Sequence, residues 1–363
     1  MDKPKITQAM IDAYDEYTHL SLDRRKFMEK LSLLAGSGAA AAAIAPLLSA
    51  NSAHAAIVAP DDAGIVAEDV TYPAPGGEMK GYLVTPKSVS GPIGSVIVIH
   101  ENRGLNDHIR DVARRVALAG FRALAVDFLS PQGGTPSDED KAREMFSGLD
   151  MEATVANAEA GRVWLAARQG ANGKVGAVGF CWGGGLVNRF ATKSAGLSAG
   201  VAYYGQQPPA ADVPGIKAPL LLHYAGLDER INAGIDAYKK ALEANGKTFE
   251  IFVYDGVNHA FNNNTSSARY DKAAADLAWG GRRISSKNIW RKSSGSASHG
   301  TAFPEMERLH HGPNMALRFA PAFGAKQTKA CLRRAIPETE RRRANRDCCP
   351  QALRWHRVIP LWL

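Results

Sequence analysis

Short apolar runs and longer amphipathic stretches alternate along the middle of the chain. In "GSVIVIHENRGLNDHIRDVARRVALAGFRALAVDF" (94–128) a β-branched run is followed by a loop and then by a segment with Ala, Val and Leu on one helical face. Gly120 stops that segment, and a second apolar run follows. Runs that are apolar throughout, not alternating, belong to strands covered on both faces. "KVGAV" leading through "GFCWG" into "GGLVNRFATK" repeats the order strand, turn, helix. "APLLLHYAGLDERI" reads as a buried strand ending at Asp228, and "FEIFVYDGVNHAFNN" as a strand ending in a loop that carries His259. "VTYPAPGGEMKGYLVTP" opens this region as a hairpin turning at Gly76-Gly77. Ser137 to Gly170 reads as one or two crossing helices, with Trp164 and Leu165 in the core. The pattern predicts an α/β fold with a mostly parallel central sheet flanked by helices, in a single catalytic domain over 56–280.

Reactive residues fall at the ends of these strands. Glycines two before and two after Cys181 ("GFCWG") allow a strained turn between strand and helix that lifts the side chain into the open. The following helix N-terminus stabilises a thiolate and supplies N–H groups for an oxyanion. A buried structural cysteine beside a glycine turn is the alternative. Cysteine, aspartate and histidine follow at successive strand ends, in the nucleophile, acid, histidine order of α/β-hydrolases. His259 is placed to exchange a proton and Asp228 to fix its tautomer; a helix cap for Asp228 and a solvated loop for His259 are the simpler roles. Glu101, after the first buried strand, is a candidate acceptor for the Cys181 proton, with the Asn102 and Trp182 N–H groups as an oxyanion hole. An ion pair of Glu101 with Arg103 or Arg110 fits the spacing equally well.

The segments "VIVIHENRGLNDHIRDVARRVALAGFRALAVDFLSPQGGTP", "GKVGAVGFCWGGG", "YAGLDERI" and "YDGVNHAFNNNTSSARYDKAAADLAW" resemble the dienelactone hydrolase family of α/β-hydrolases over roughly residues 65–279. The resemblance implies an α/β-hydrolase fold and cleavage of small activated esters or lactones. It makes Cys181 the nucleophile, His259 the base, Asp228 its orienter and Glu101 the group that activates the thiol. A non-catalytic binding descendant of the fold is the alternative function. The family's best-known members hold a substrate carboxylate with an arginine after the strand matching "ALAVDF", and with a serine and an arginine after the histidine. Pro131, Ala260 and Asn263 stand there in this chain, so only Arg103 is left as a candidate substrate-binding cation. No cofactor is implied and no metal site is expected, because His100, His108 and His223 lack ligand spacing.

Two flanking segments fall outside that resemblance. "SLDRRKFMEKLSLLAGSGAAAAAIAPLLSANSAHA" resembles a twin-arginine signal peptide, with Arg24-Arg25, Phe27, a weakly apolar segment and a small-residue cleavage site at Ala53-His54-Ala55. Residues 1–55 are therefore read as lying outside the fold. They engage the twin-arginine export machinery, leave no stable membrane anchor after cleavage, and deliver a periplasmic or secreted enzyme. Residues 281–363 hold 17 Lys+Arg against 5 Asp+Glu, so the +8 of the whole chain comes entirely from this tail. The tail lacks nucleic-acid-binding motifs, and Cys331, Cys348 and Cys349 lack C-x-x-C spacing, so no nucleic-acid partner is expected. Back-translated and read one frame over, "RISSKNIWRK" yields the apolar-apolar-basic-basic ending of the family's last helix. The tail is accordingly read as disordered and out of frame after a shift near Gly280.

Overall fold

The computed structural model describes residues 5–19, 22–49 and 56–280. The basic tail from 281 onward, and with it the reading-frame expectation, lies outside the described residues.

Three N-terminal helices, α1 (Gln8–His19), α2 (Arg24–Ala35) and α3 (Gly38–Leu48), precede the sheet. Asp23 and Ser37 cap α2 and α3, each accepting a backbone N–H of the first turn. The helices share an apolar cluster of Tyr14, Tyr17, Phe27, Leu31, Ile44 and Leu48. Each such side chain contributes about 1.5–3 kcal/mol on burial, enough to give the trio a core of its own.

The hairpin strands β1 (Ile65–Ala74) and β2 (Gly77–Pro86) pair antiparallel, closing from Ala74 to Gly77. The turn is thus at Pro75-Gly76, one residue earlier than the sequence suggests, and Gly77 takes the positive φ. After them come β3 (Ile93–Ile99), α4 (Asp107–Leu118), β4 (Arg122–Asp127), α5 (Glu139–Ser147) and α6 (Met151–Ala166). The second half comprises β5 (Ala171–Phe180), α7 (Trp182–Lys193), β6 (Gly200–Tyr203), β7 (Leu220–Ala225), α8 (Glu229–Asn232), α9 (Ile235–Ala244), β8 (Phe249–Tyr254) and α10 (Lys272–Gly280).

One eight-stranded sheet results, in the order β1-β2-β4-β3-β5-β6-β7-β8. The β2/β4 pair is antiparallel, and every neighbouring pair from β4 to β8 is parallel. The sheet is covered on both faces. Leu124, Ile97, Ala177 and Leu222 face one apolar layer with α6 and α7, while Ala123, Val96, Val98 and Val178 face another with α4 and α10. Leu165 is buried in the first layer, and Trp164 stacks on Tyr72 at its edge. Strand order reverses between β3 and β5, so the loops after these two strands open at the switch point where open α/β sheets bind ligands. Glu101 and Cys181 follow those two strands.

Candidate active site

Cys181 stands between β5 and α7 with φ 54° and ψ −115°, a strained backbone for a residue with a side chain. Close packing holds it there. A Cβ on Gly179 would lie 2.1 Å from the Gly183 carbonyl oxygen, and one on Gly183 would lie 2.5 Å from the carbonyl oxygens of Ile99 and His100. The two glycines flanking "FCW" are therefore required by the approach of α7 to β5 and β3. Trp182 begins α7, so its N–H points out of the helix without an intrahelical acceptor. Trp182 stacks on His100, whose Nε2 accepts from the Phe128 N–H and whose Nδ1 meets the Glu101 carbonyl. That histidine serves to tie the ends of β3 and β4 together.

Asp228 uses both carboxylate oxygens. Oδ1 caps α8 by accepting the Ile231 N–H at 3.2 Å, and Oδ2 meets His259 Nδ1 at 2.5 Å. The cap and the histidine partner, alternatives in the sequence, are thus one arrangement: the cap fixes the carboxylate that orients the imidazole. His259 is 4% exposed, which removes the solvated-loop alternative. Its Nε2 has no hydrogen-bond partner among the described residues and lies within 4.8 Å of Cys181 Sγ. Ala260, next in the chain, has φ 65°, and Tyr204, whose ring lies 4.8 Å from that of His259, has φ 38°. With Cys181 these are the non-glycine residues of positive φ among the described residues. Backbone strain is concentrated where these side chains meet.

Glu101 does not bond to Cys181. Its Oε2 accepts from Asn263 Nδ2 at 2.7 Å and its Oε1 from the Tyr204 hydroxyl at 3.3 Å. Nor does it pair with either arginine that the spacing offered. Arg110 bonds to Asp69, and Arg103, buried, donates to the Glu139 carbonyl and lies 3.5 Å from Asp140 Oδ1. The expected free cation at the pocket mouth is therefore already neutralised. Arg103 instead lines a cavity of about 240 Å³ between the N-terminal helices and residues 138–140, whose walls include none of Cys181, Asp228 or His259.

The group that does reach the sulfur is one the sequence reading set outside the fold. His19, the last residue of α1, places Nε2 3.0 Å from Cys181 Sγ, with its ring 4.5 Å from that of His259. Its Nδ1 lies 3.0 Å from Asp15 Oδ1, so α1 brings a second Asp-His pair to the same thiol. The Asn102 side chain donates to the Thr18 carbonyl, Arg143 to the Tyr17 carbonyl, and Tyr17 to Asp140. Arg269 approaches Asp15 and lies over the Tyr14 ring. Cys181 is left 7% exposed beneath this helix. Asp15 and His19, four residues apart and hence on one helix face, are the local signal for this in "YDEYTH", next to the twin arginines that resemble those of a leader.

Charge in the cluster is strongly coupled. Burial alone would raise the Cys181 pKa, but the imidazoles of His19 and His259 outweigh it and hold the thiol well below its ordinary value. Burial opposes protonation of His259, yet Cys181, Asp15 and Asp228 together raise its pKa well above the usual histidine range. His19 is raised as well, against its burial, by Cys181 and Asp15. Each of these shifts favours the ionised form of its group, thiolate at Cys181 and imidazolium at His19 and His259, over the neutral one.

The sequence model of the dienelactone hydrolase family matches residues 79–283, which include all of these strand-end residues. The chain belongs to the dienelactone hydrolase family. A protein of Escherichia coli O157:H7 named "Putative carboxymethylenebutenolidase" is 33% identical over 235 residues, 61% of this chain and 86% of that protein. The "hydrolase fragment YghX" of E. coli K12 is 53% identical over 112 residues, 30% of this chain and 96% of the fragment. Among solved structures, a dienelactone hydrolase family protein from Klebsiella pneumoniae superposes with a TM-score of 0.54 at 30% identity, covering 59% of this chain and 95% of that one. This dienelactone hydrolase relative therefore has the α/β-hydrolase fold, and its family is one of carboxymethylenebutenolidase-like hydrolases.

Proposed function

We propose that this protein hydrolyses small activated esters or lactones through an acyl-enzyme on Cys181. The observation that carries the reading is the convergence, on a strained strand-helix turn, of a cysteine and a histidine whose far nitrogen is locked onto a buried carboxylate. Sγ attacks the carbonyl carbon, and the carbonyl π electrons move to oxygen, where the Trp182 and Asn102 N–H groups receive them. Collapse of the tetrahedral adduct breaks the C–O bond, and the His259 imidazolium gives the leaving oxygen its proton. Neutral His259 then takes a proton from water, which attacks the thioester; the S–C bond breaks and the acid leaves. Asp228 holds the imidazole in the tautomer both steps need. Glu101, fixed by Asn263 and Tyr204, contributes its charge at the site's edge.

The substrates this site suits are neutral. Asn263, at the family's arginine position, is spent on Glu101, and Arg103 is spent on Glu139 and Asp140. Each missing charge-assisted hydrogen bond to a carboxylate forgoes about 1.5–3 kcal/mol. Steady-state assays on an activated aryl ester, and on a dienelactone as free acid and as methyl ester, test the reading. Wild type is expected to turn over the aryl ester and to favour the methyl ester, with Cys181→Ala inactive and Cys181→Ser much weaker. Equal activity of wild type and Cys181→Ala would refute the acyl-enzyme.

For residues 1–55 we propose export: twin-arginine targeting to the periplasm or outside the cell. The Arg25 side chain, 83% exposed, supports it by being open to a receptor, whereas Arg24, although 77% exposed, donates to Asp140 of the core at 2.7 Å and has to be released first. No single described helix is long and apolar enough to cross a membrane; α2 and α3 reach that composition only together, across a 111° bend.

A further inference from the structure

His19, Cys181 and His259 come from three distant parts of the chain, and one ligand atom from each lies within 4.8 Å of the others. Around a tetrahedral zinc ion, bonds of about 2.0–2.3 Å separate ligand atoms by roughly 3.3–3.6 Å. His19 Nε2 and Sγ, 3.0 Å apart, have to separate slightly and the wider pairs of the cluster, within 4.8 Å, to close in for an ion to be seated. The surroundings also match what ligating histidines need. His259 Nδ1 is taken by Asp228 at 2.5 Å, and His19 Nδ1 by the Thr18 hydroxyl at 2.8 Å and the Asp15 backbone carbonyl at 3.1 Å with Asp15 Oδ1 close by at 3.0 Å, which leaves each Nε2 facing the cluster. A histidine held this way by a carboxylate is the usual outer shell of a metal site. His259 Nε2, on a side chain more than nine-tenths buried, has no partner among the described residues, and a buried polar atom without one calls for an explanation.

We propose that His19, Cys181 and His259 form a three-ligand site for a thiophilic divalent cation of the zinc class, seated on the candidate nucleophile and tying α1 to the α/β core. One sulfur and two imidazole nitrogens select such an ion over magnesium or calcium, which require oxygen ligands. The ion binds a thiolate and two neutral imidazoles, and any protons those groups carry leave to solvent. Because it occupies both Sγ and His259 Nε2, the loaded protein cannot form an acyl-enzyme, and chelation restores the thiol.

Cobalt(II) is the probe. The full-length chain with Cys331, Cys348 and Cys349 changed to serine leaves Cys181 as the one thiol. Metal-free, reduced protein is titrated with Co²⁺ while the near-ultraviolet thiolate-to-cobalt charge-transfer band is followed. One ion per chain is expected to raise the band, and Zn²⁺ to bleach it. His19→Ala, and separately the more conservative His19→Gln, should each weaken Co²⁺ binding at least tenfold. Cys181→Ser should abolish the band, which also excludes the histidines of the tail as its source. Asp15→Asn, a change in a positioning residue, should retain the band with affinity lowered about 10- to 100-fold. The absence of a charge-transfer band, or a band with unchanged affinity in both His19 variants, overturns the site. Acylation of the metal-free protein by an aryl ester is read separately, so loss of this site and loss of the hydrolase reading are distinguishable.

Discussion

At the residue scale, protonation at Cys181 decides the chemistry. A free cysteine titrates near pH 8.5, so below that value its reactivity normally falls about tenfold per pH unit. Here the folded thiol is depressed and the folded His259 and His19 are raised. A depressed acid keeps its charged form as pH falls, until pH passes through the folded pKa. A raised histidine keeps its proton as pH rises, until pH passes through its own. The thiolate-imidazolium state therefore extends on both sides of the interval between free histidine and free cysteine. The rate of Cys181 alkylation by a small haloacetamide should stay nearly flat from about pH 8.5 down through about pH 6.5. In the double variant His19→Ala/His259→Ala the same rate should regain the ordinary tenfold-per-unit fall. A wild-type profile already falling that way would show a neutral resting thiol.

At the element scale, the site depends on how closely α7 approaches the sheet. A Cβ on Gly184 would lie 2.5 Å from the Tyr203 carbonyl oxygen and 2.9 Å from Gly205 Cα, both backbone atoms. Gly184→Ala must push α7 away from β6, and overpacking of this kind costs about 1–3 kcal/mol. A lowered Tm in thermal unfolding, together with slower aryl-ester turnover, is expected; an unchanged Tm would show that the contact has slack. This part of the fold was legible in the sequence. The continuous apolar runs of β3, β4, β5 and β7, the glycine pair around Cys181, and Asp228 and His259 at successive strand ends each follow from local pattern. What the sequence hid was set by non-local packing. Glu101's partners, Asn263 and Tyr204, lie more than a hundred residues away, and His19 meets Cys181 across 162 residues. The Gly76 turn was misplaced by one residue because Pro75 can hold the first turn position and leave the positive φ to Gly77.

At the scale of the whole molecule, α1 lies over the thiol, with its His19 nitrogen 3.0 Å from Sγ, where an ester carbonyl carbon would have to approach. On the proposed acyl-enzyme route α1 has to withdraw, and a protease site inserted within residues 50–55 allows the three N-terminal helices to be cut away and removed. The remaining core is expected to hydrolyse the aryl ester faster than the uncut chain, with the gain in kcat/KM. An unchanged or lower kcat/KM would show that α1 belongs to the working site. Beneath the helix, the account rests on Cys181 becoming covalently acylated. The most direct measurement mixes metal-free protein with an activated aryl ester, quenches in acid within the first turnover, and locates added mass by peptide mapping. The account expects one acyl group per chain, on the peptide containing Cys181, lost on longer incubation and absent from Cys181→Ala. Turnover by wild type with no acyl group on that peptide at any time would contradict it.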